Sequence, residues 1–247
     1  MILETKQKAI KKVEDKIKDT YKEHEKILSI FLLLLIDYFD KYSIGERFSV
    51  NRHQRRAILK DVERRIIKEI KAFGYREVEF NKRVLGEIIK DTYKSHYDFI
   101  GGDKNILLNP FLIQDIIFRD YKGDRIDNRI INNKKKLANR LYKGFDKALI
   151  NNDTLGETSK ELKGIFNKSK YESYRLLMNE QARVFNAVQT KIFIDESTIE
   201  KVMWVSVLCP NTCPYCEMMD GSVFDINDSS RPEIPAHVLC QCYWIPV

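Results

Sequence analysis

From Ile2 to Tyr42 the chain contains neither glycine nor proline, so nothing in this stretch interrupts helical backbone angles or removes a backbone donor. Ile10, Val13, Ile17 and Tyr21 recur at helical spacing, and an apolar run from Ile30 to Ile36 follows. The pattern predicts one long helix, polar at its start, fully buried at its end, and stopped near Ser43-Ile44-Gly45. The apolar run is seven residues long, far short of the roughly 20 a membrane helix needs. No membrane span is expected, and the first residues lack the layout of a secretory signal.

Only ten glycines and six prolines punctuate all 247 residues, which extends the helical expectation along the chain. A second helix should begin near Asn51, carry Ala57-Ile58, Val62, Ile66-Ile67 and Ile70 inward, and end near Gly74. A third should span about 81–99 and stop at Gly101-Gly102-Asp103. Pro110 suits the first position of a short helix through Phe118, where its missing N–H is harmless. Another helix should run from about Asp127 to Ile150 and end at Asn151-Asn152-Asp153. Thr154 with Glu157 fits a capping box opening a short helix through Phe166. Lys170 to about Ile194 reads as a separate amphipathic helix with Leu176-Leu177, Val184-Phe185, Val188 and Ile192 inside.

The texture then changes. Val202 to Val207 is rich in β-branched and aromatic residues and predicts a strand. A turn at Asp220-Gly221, a short strand Ser222-Val223-Phe224 and a closing strand from Cys242 to Val247 follow. The expected fold is mainly α with a small C-terminal α+β zinc-stapled module. Its expected divisions are an N-terminal helical region (1–124), a second helical part (125–199) and the C-terminal module (200–247).

All five cysteines fall in residues 209–247, with the one histidine found after His96. Cys213 and Cys216 are separated by two residues. After twenty intervening residues comes His237, then Cys240 and Cys242. Two ligands from one segment and two from a distant one can close a tetrahedral site, and thiolate with imidazole favours zinc over magnesium or calcium. Cys213, Cys216 and His237 are expected ligands, with Cys240 or Cys242 as the fourth; spacing does not rank those two. Cys209 is read as a buried packing thiol. The surplus of thiolates, with no spare histidine, suits structural rather than catalytic zinc. A 48-residue segment has little apolar bulk of its own, and zinc binding worth roughly 10–16 kcal/mol in finger peptides would supply the missing stability. Cys213-Pro214-Tyr215-Cys216 also matches the glutaredoxin tetrapeptide, but only 31 residues follow Cys216, too few for the rest of that fold.

Charge is uneven. Residues 200–247 hold two basic against six acidic residues, a balance of −4; the chain total is +7, so residues 1–199 carry +11. A basic body attracts polyanions without implying specificity. Arg52, Arg55, Arg56, Arg64 and Arg65 on one helix, and Lys134, Lys135 and Lys136 on another, are candidate nucleic-acid contacts. Each also reads as part of an ordinary solvated helix face.

The C-terminus resembles the phage Mu protein F-like, or head morphogenesis, family of minor capsid proteins. The residues that carry the likeness are Trp204, Thr212-Cys213-Pro214-Tyr215-Cys216, Asp220-Gly221 and Pro235-Ala236-His237-Val238-Leu239-Cys240-Gln241-Cys242. Upstream, Met178-Asn179-Glu180 precedes Arg183-Val184-Phe185-Asn186-Ala187, where family members carry Arg-Thr-Glu before a run toward Asn-Ala. Val238 and Gln241 stand where the family has proline and arginine, and neither change removes a ligand. The likeness covers about residues 125–247. It implies a non-enzymatic virion component of the phage head interior or portal vertex, in several copies, acting in head morphogenesis or in DNA packaging or ejection. Implied partners are the portal protein, the major capsid or scaffold protein, and double-stranded DNA, with the host cytoplasm as the place of assembly. A zinc-containing nucleic-acid-binding protein of the host cytoplasm is the alternative expectation.

Overall fold

In the computed structural model, residues 1–100, 109–195, 199–207 and 212–247 are described. Cys209 and the turn expected at Gly101-Gly102-Asp103 lie outside them. The chain is mainly helical with a small sheet-bearing C-terminal region. Helix α1 (Ile2–Tyr42) leads through a two-stranded hairpin, β1 (Ser43–Ile44) and β2 (Arg47–Phe48), into α2 (Arg52–Ile100). Helices α3 (Pro110–Phe118), α4 (Ile126–Asn151) and α5 (Leu155–Asp195) follow. Strand β3 (Lys201–Val205), helix α6 (Pro214–Met219), and strands β4 (Val223–Asp225) and β5 (Tyr243–Pro246) complete the chain. No helix among the described residues is long and apolar enough to cross a membrane.

Two expected breaks are absent. α2 passes straight through Gly74, because that glycine is a contact point and not a terminus: a Cβ there would lie 3.1 Å from Ile131 Cδ1 on α4. α5 likewise runs on through Asn167-Lys168-Ser169, where Ser169 is buried and meets His24 Nε2 at 3.1 Å. Expected ends held where local chemistry decides them. Asn152 adopts φ 56 after α4, and Asp153 N–H donates back to the Ala148 carbonyl, an αL-type stop. Thr154 and Glu157 exchange capping bonds, Thr154 N to Glu157 Oε2 at 2.8 Å and Glu157 N to Thr154 Oγ1 at 3.2 Å. Asn109 caps α3, with Pro110 at its first turn.

The chain forms two compact units whose segments interleave. One comprises Met1–Lys16, Asn81–Ile126 and Arg175–Val247; the other comprises Ile17–Phe80 and Asp127–Tyr174.

The second unit has a continuous apolar core that includes Phe31, Leu35, Val62, Phe73, Leu141, Phe145 and Phe166. The run from Ile30 to Ile36 is not fully buried as expected: Phe31, Leu34 and Leu35 face inward, while Leu33 and Ile36 are exposed. Helical geometry gives one stripe inside and its complement outside, whatever the composition. The same core holds a buried ion pair, Lys134 Nζ to Glu77 Oε2 at 2.6 Å. The ammonium also lies 4.0 Å from the centre of the Phe73 ring. Lys134 is therefore removed from the candidate nucleic-acid contacts, because it faces inward beneath Lys135 and Lys136, which are exposed.

The first unit gathers the two ends of the chain. α1 is not polar at its start as expected, since Ile2, Thr5, Lys6, Ala9 and Val13 form a buried stripe. Its sheet is antiparallel in the order β4-β3-β5, with Trp204 opposite Trp244 and Val202 opposite Phe224.

Candidate metal centre

Strand β3 carries Trp204, fully buried, into edge-to-face contact with Trp244 at 5.4 Å and Tyr215 at 6.2 Å. Beyond it, Ser206 ties together the elements that hold the cysteines. Its N–H donates to Asp220 Oδ1 at 2.7 Å and its hydroxyl to the Cys216 carbonyl at 2.5 Å, while Trp204 Nε1 donates to its Oγ at 3.1 Å. Gly221, at φ 78, makes the tight turn that returns the chain to β4.

Cys213 is the N-cap of α6, with Pro214 following at the first turn, and its Sγ accepts from Cys216 N at 3.4 Å. That capping geometry brings the two thiols of the Cys-x2-Cys pair to one side. The second segment is held from several directions. Tyr121 Oη donates to the Pro235 carbonyl, and Lys122 Nζ donates to the Ala236 carbonyl at 3.0 Å. Leu239 takes φ 62 and its N–H donates to Asn179 Oδ1 at 2.6 Å, while Cys240 N donates to the His237 carbonyl at 3.2 Å. From α5, Asn186 Nδ2 donates to the Cys242 carbonyl at 3.1 Å and Gln189 Nε2 to the Trp244 carbonyl at 3.0 Å. Sequence reading assigned no role to Tyr121, Lys122, Asn179 or Gln189. Their partners lie far along the chain, so no local pattern announces them.

The result is convergence. His237 Nε2 lies 3.0 Å from Cys213 Sγ and 3.1 Å from Cys216 Sγ, and Cys216 Sγ lies 3.8 Å from Cys240 Sγ. Cys213, Cys216 and His237 form one close group, and Cys216, Cys240 and Cys242 another. Cys216 belongs to both. The four described cysteines are free thiols.

Several features fit a bound metal. The 3.8 Å sulfur separation equals the edge of a tetrahedron built on zinc–sulfur bonds of about 2.3 Å. The sulfur–nitrogen separations fall about half an ångström short of the corresponding edge, roughly 3.6 Å, so the imidazole must move outward slightly to admit an ion. Its tautomer is already suitable: a carbonyl can only accept, so His237 Nδ1 donates to the Val238 oxygen at 2.9 Å and leaves the Nε2 lone pair facing the thiols.

The thiols are not equivalent. Hydrogen bonding from Cys242 draws the Cys240 thiol below its ordinary range. Cys242, the donor to Cys240 and also buried, is pushed up. Burial pushes Cys216 up to about 12. Cys242 Sγ also lies 3.6 Å from Ser206 Oγ. Cys240 and Cys216 are buried, whereas Cys213 and His237 border a cleft also lined by Lys122, Tyr215, Pro232, Glu233 and Ala236. Such a cluster can hold a soft or borderline divalent cation.

Other residues singled out from sequence fall elsewhere. Glu180 is buried and paired with Arg183 Nε at 2.7 Å, and Arg183 also donates to the Ile116 and Ile117 carbonyls at the end of α3, each at 2.8 Å. Arg52, Arg56 and Arg64 lie exposed on α2. Arg55 pairs with Asp146 at 2.6 Å and Arg65 with Asp61 at 3.3 Å. Compared with known proteins, the chain matches no family model, no curated protein and no solved structure.

Proposed function

We propose that the chain is a minor head protein of a tailed bacteriophage, non-enzymatic, whose C-terminal module is stapled by a structural zinc ion. The observation that carries this reading is the gathering of Cys213, Cys216 and His237 into one close group and of Cys216, Cys240 and Cys242 into another, joined at Cys216, on the residues that carry the resemblance to the head morphogenesis family. Cys240 is favoured over Cys242 as fourth ligand because its sulfur stands at tetrahedral spacing from Cys216, while Cys242 is engaged by Ser206. A bound zinc would join α6 to the 237–242 segment and contribute folding free energy to a module with few apolar residues of its own. Val238 fixes the imidazole tautomer, Ser206 orients α6, and Asn179 and Asn186 anchor the returning segment to α5.

In this reading the protein works at the portal vertex or inside the head, with the portal and the capsid or scaffold protein as partners. The exposed cations Arg52, Arg56, Arg64, Lys135 and Lys136 would face double-stranded DNA, with Arg55 and Arg65 contributing beside their carboxylate partners. Cross-linking of assembled particles tests the assignment: this chain is expected in covalent adducts with the portal protein. Its absence from particles, together with steeply salt-dependent DNA binding by the free protein, would instead establish the zinc-containing nucleic-acid-binding alternative.

A further inference from the structure

A cleft of about 370 Å³ opens within the first unit, between the end of α3, the final turns of α5 and the 231–234 segment, a size suited to a small ligand. Ile116, Ala187, Ile194, Ile234 and Trp244 give it apolar walls, and four cations also line it. Three of the four are occupied. Arg119 pairs with Asp115 at 2.7 Å, Lys191 with Asp195 at 3.0 Å, and Arg183 with Glu180 at 2.7 Å. Arg231 is different. Its half-buried guanidinium lies 4.8 Å from the centre of the Trp244 ring, and its Nη1 is buried without a hydrogen-bond partner among the described residues. Asp228, just before it in the chain, is taken up by Ser230, whose N–H and hydroxyl donate to Oδ1 at 2.8 and 2.7 Å. Asn186, 3% exposed, also lines the cleft. Its Nδ2 serves the Ala182 and Cys242 carbonyls, while its Oδ1 has no partner among the described residues. The cleft therefore holds an uncompensated cation and an idle acceptor, each costly to bury until something completes it.

We propose that this cleft is a binding site for a small organic monoanion: a carboxylate on an apolar body that also carries an N–H or O–H donor. A guanidinium presents a planar fork that matches a carboxylate with two parallel bonds, and stacking on Trp244 holds that fork in one plane. Phosphate suits the cleft less well. A dianion gathers several cations, whereas of the four here only Arg231 is uncommitted, and the exposed Asp120, Asp195 and Glu233 line the same cleft. The apolar body lies against Ile116, Ile194 and Ile234, and the donor meets Asn186 Oδ1. Because Nη1 and Oδ1 are closed from water, both side chains must shift slightly to reach a ligand. None of these groups is a candidate metal ligand, so the inference stands apart from the zinc reading.

N-acetyl-leucine is the probe, because it combines a carboxylate, an amide N–H and a branched apolar side chain. N-acetyl-leucinamide, in which a neutral amide replaces the carboxylate, is the control, and inorganic phosphate is the competing anion. Binding to the full chain as purified is followed by titration calorimetry and by the indole N–H resonance of Trp244. The acid is expected to bind in the millimolar range or tighter, as befits a ligand of this size, to shift that resonance, and to bind about 10-fold or more tightly than the amide. Phosphate should bind more weakly than the acid. Arg231→Gln should weaken the acid about 10- to 100-fold, the range for a lost charge-assisted hydrogen bond, and leave the amide unaffected. Equal affinity for acid and amide, tighter binding of phosphate, or an unchanged acid affinity in Arg231→Gln would overturn the proposal. So would the absence of any binding of the acid at millimolar concentrations. The acid–amide comparison is made on the wild type, so it decides the matter even if losing the stack on Trp244 destabilises the variant.

Discussion

Cys216→Ser is expected to abolish zinc binding and to unfold the C-terminal module while leaving the apolar core of the second unit intact. Cys216 is the one sulfur common to both close groups, 3.1 Å from His237 Nε2 and 3.8 Å from Cys240 Sγ. A serine oxygen is a poorer ligand for zinc and has a shorter reach, so the substitution leaves two half-sites that cannot close on one ion. Apparent zinc-binding energies of about 10–16 kcal/mol in small modules exceed the whole stability of most domains. Metal content should fall to background. Near-ultraviolet dichroism from Trp204 and Trp244, which face each other across β3 and β5, should collapse with it. Far-ultraviolet helicity should persist, because α1, α2, α4 and α5 pack through Phe31, Phe73, Phe145 and Phe166 in the other unit. Cys242→Ser is the contrasting variant and should retain a full equivalent of metal. Stoichiometric zinc in Cys216→Ser would show that the ion, if held, is held differently.

The second large effect lies in the helical body. Glu77→Gln should destabilise the protein by about 3–5 kcal/mol, the usual consequence of stranding one member of a buried ion pair. This corresponds to a fall in Tm of roughly 6–20 °C for a chain of this size. Both side chains are nearly inaccessible, at 3% for Lys134 and 2% for Glu77, so water cannot replace the lost carboxylate. Phe73 at 4.0 Å and Ser173 Oγ at 3.3 Å are too weak to do so. The site is already unfavourable to cations: burial first, and then Lys134, lower His24 to about 3, leaving its ring neutral against Ser169. The double variant Glu77→Met, Lys134→Met should recover most of the loss, since apolar replacement of a whole buried pair is often neutral or stabilising. Thermal unfolding of the three variants checks this. A Glu77→Gln protein within 1 kcal/mol of the wild type would mean that Lys134 finds other compensation.

The parts of this fold that could be read from sequence are those decided within a few residues. The Thr154–Glu157 capping box, Pro110 at the start of α3 and the stop at Asn152 all formed where local chemistry placed them. So did the strand around Trp204 and the grouping of the late cysteines with His237. What could not be read depends on distant partners. Gly74 carries the composition of a helix end, but a close approach by α4 makes it a helix interior. Lys134 stands in a run of three lysines that reads as solvent-facing, and nothing nearby in sequence announces Glu77. Lys6 occupies a stretch of alternating charges that suggests a polar start to α1, whereas the segment it belongs to packs with the C-terminal residues. Spacing alone left Cys240 and Cys242 equivalent, and both sulfurs stand in one close group with Cys216.

The metal content of the chain, purified under reducing conditions, bears on all of this most directly. One equivalent of zinc per chain is predicted, with Cys213, Cys216 and Cys240 slow to react with a thiol reagent until a chelator is added. Less than about half an equivalent, a quantity no stable closed site would retain, or a disulfide between any of these cysteines would contradict the account.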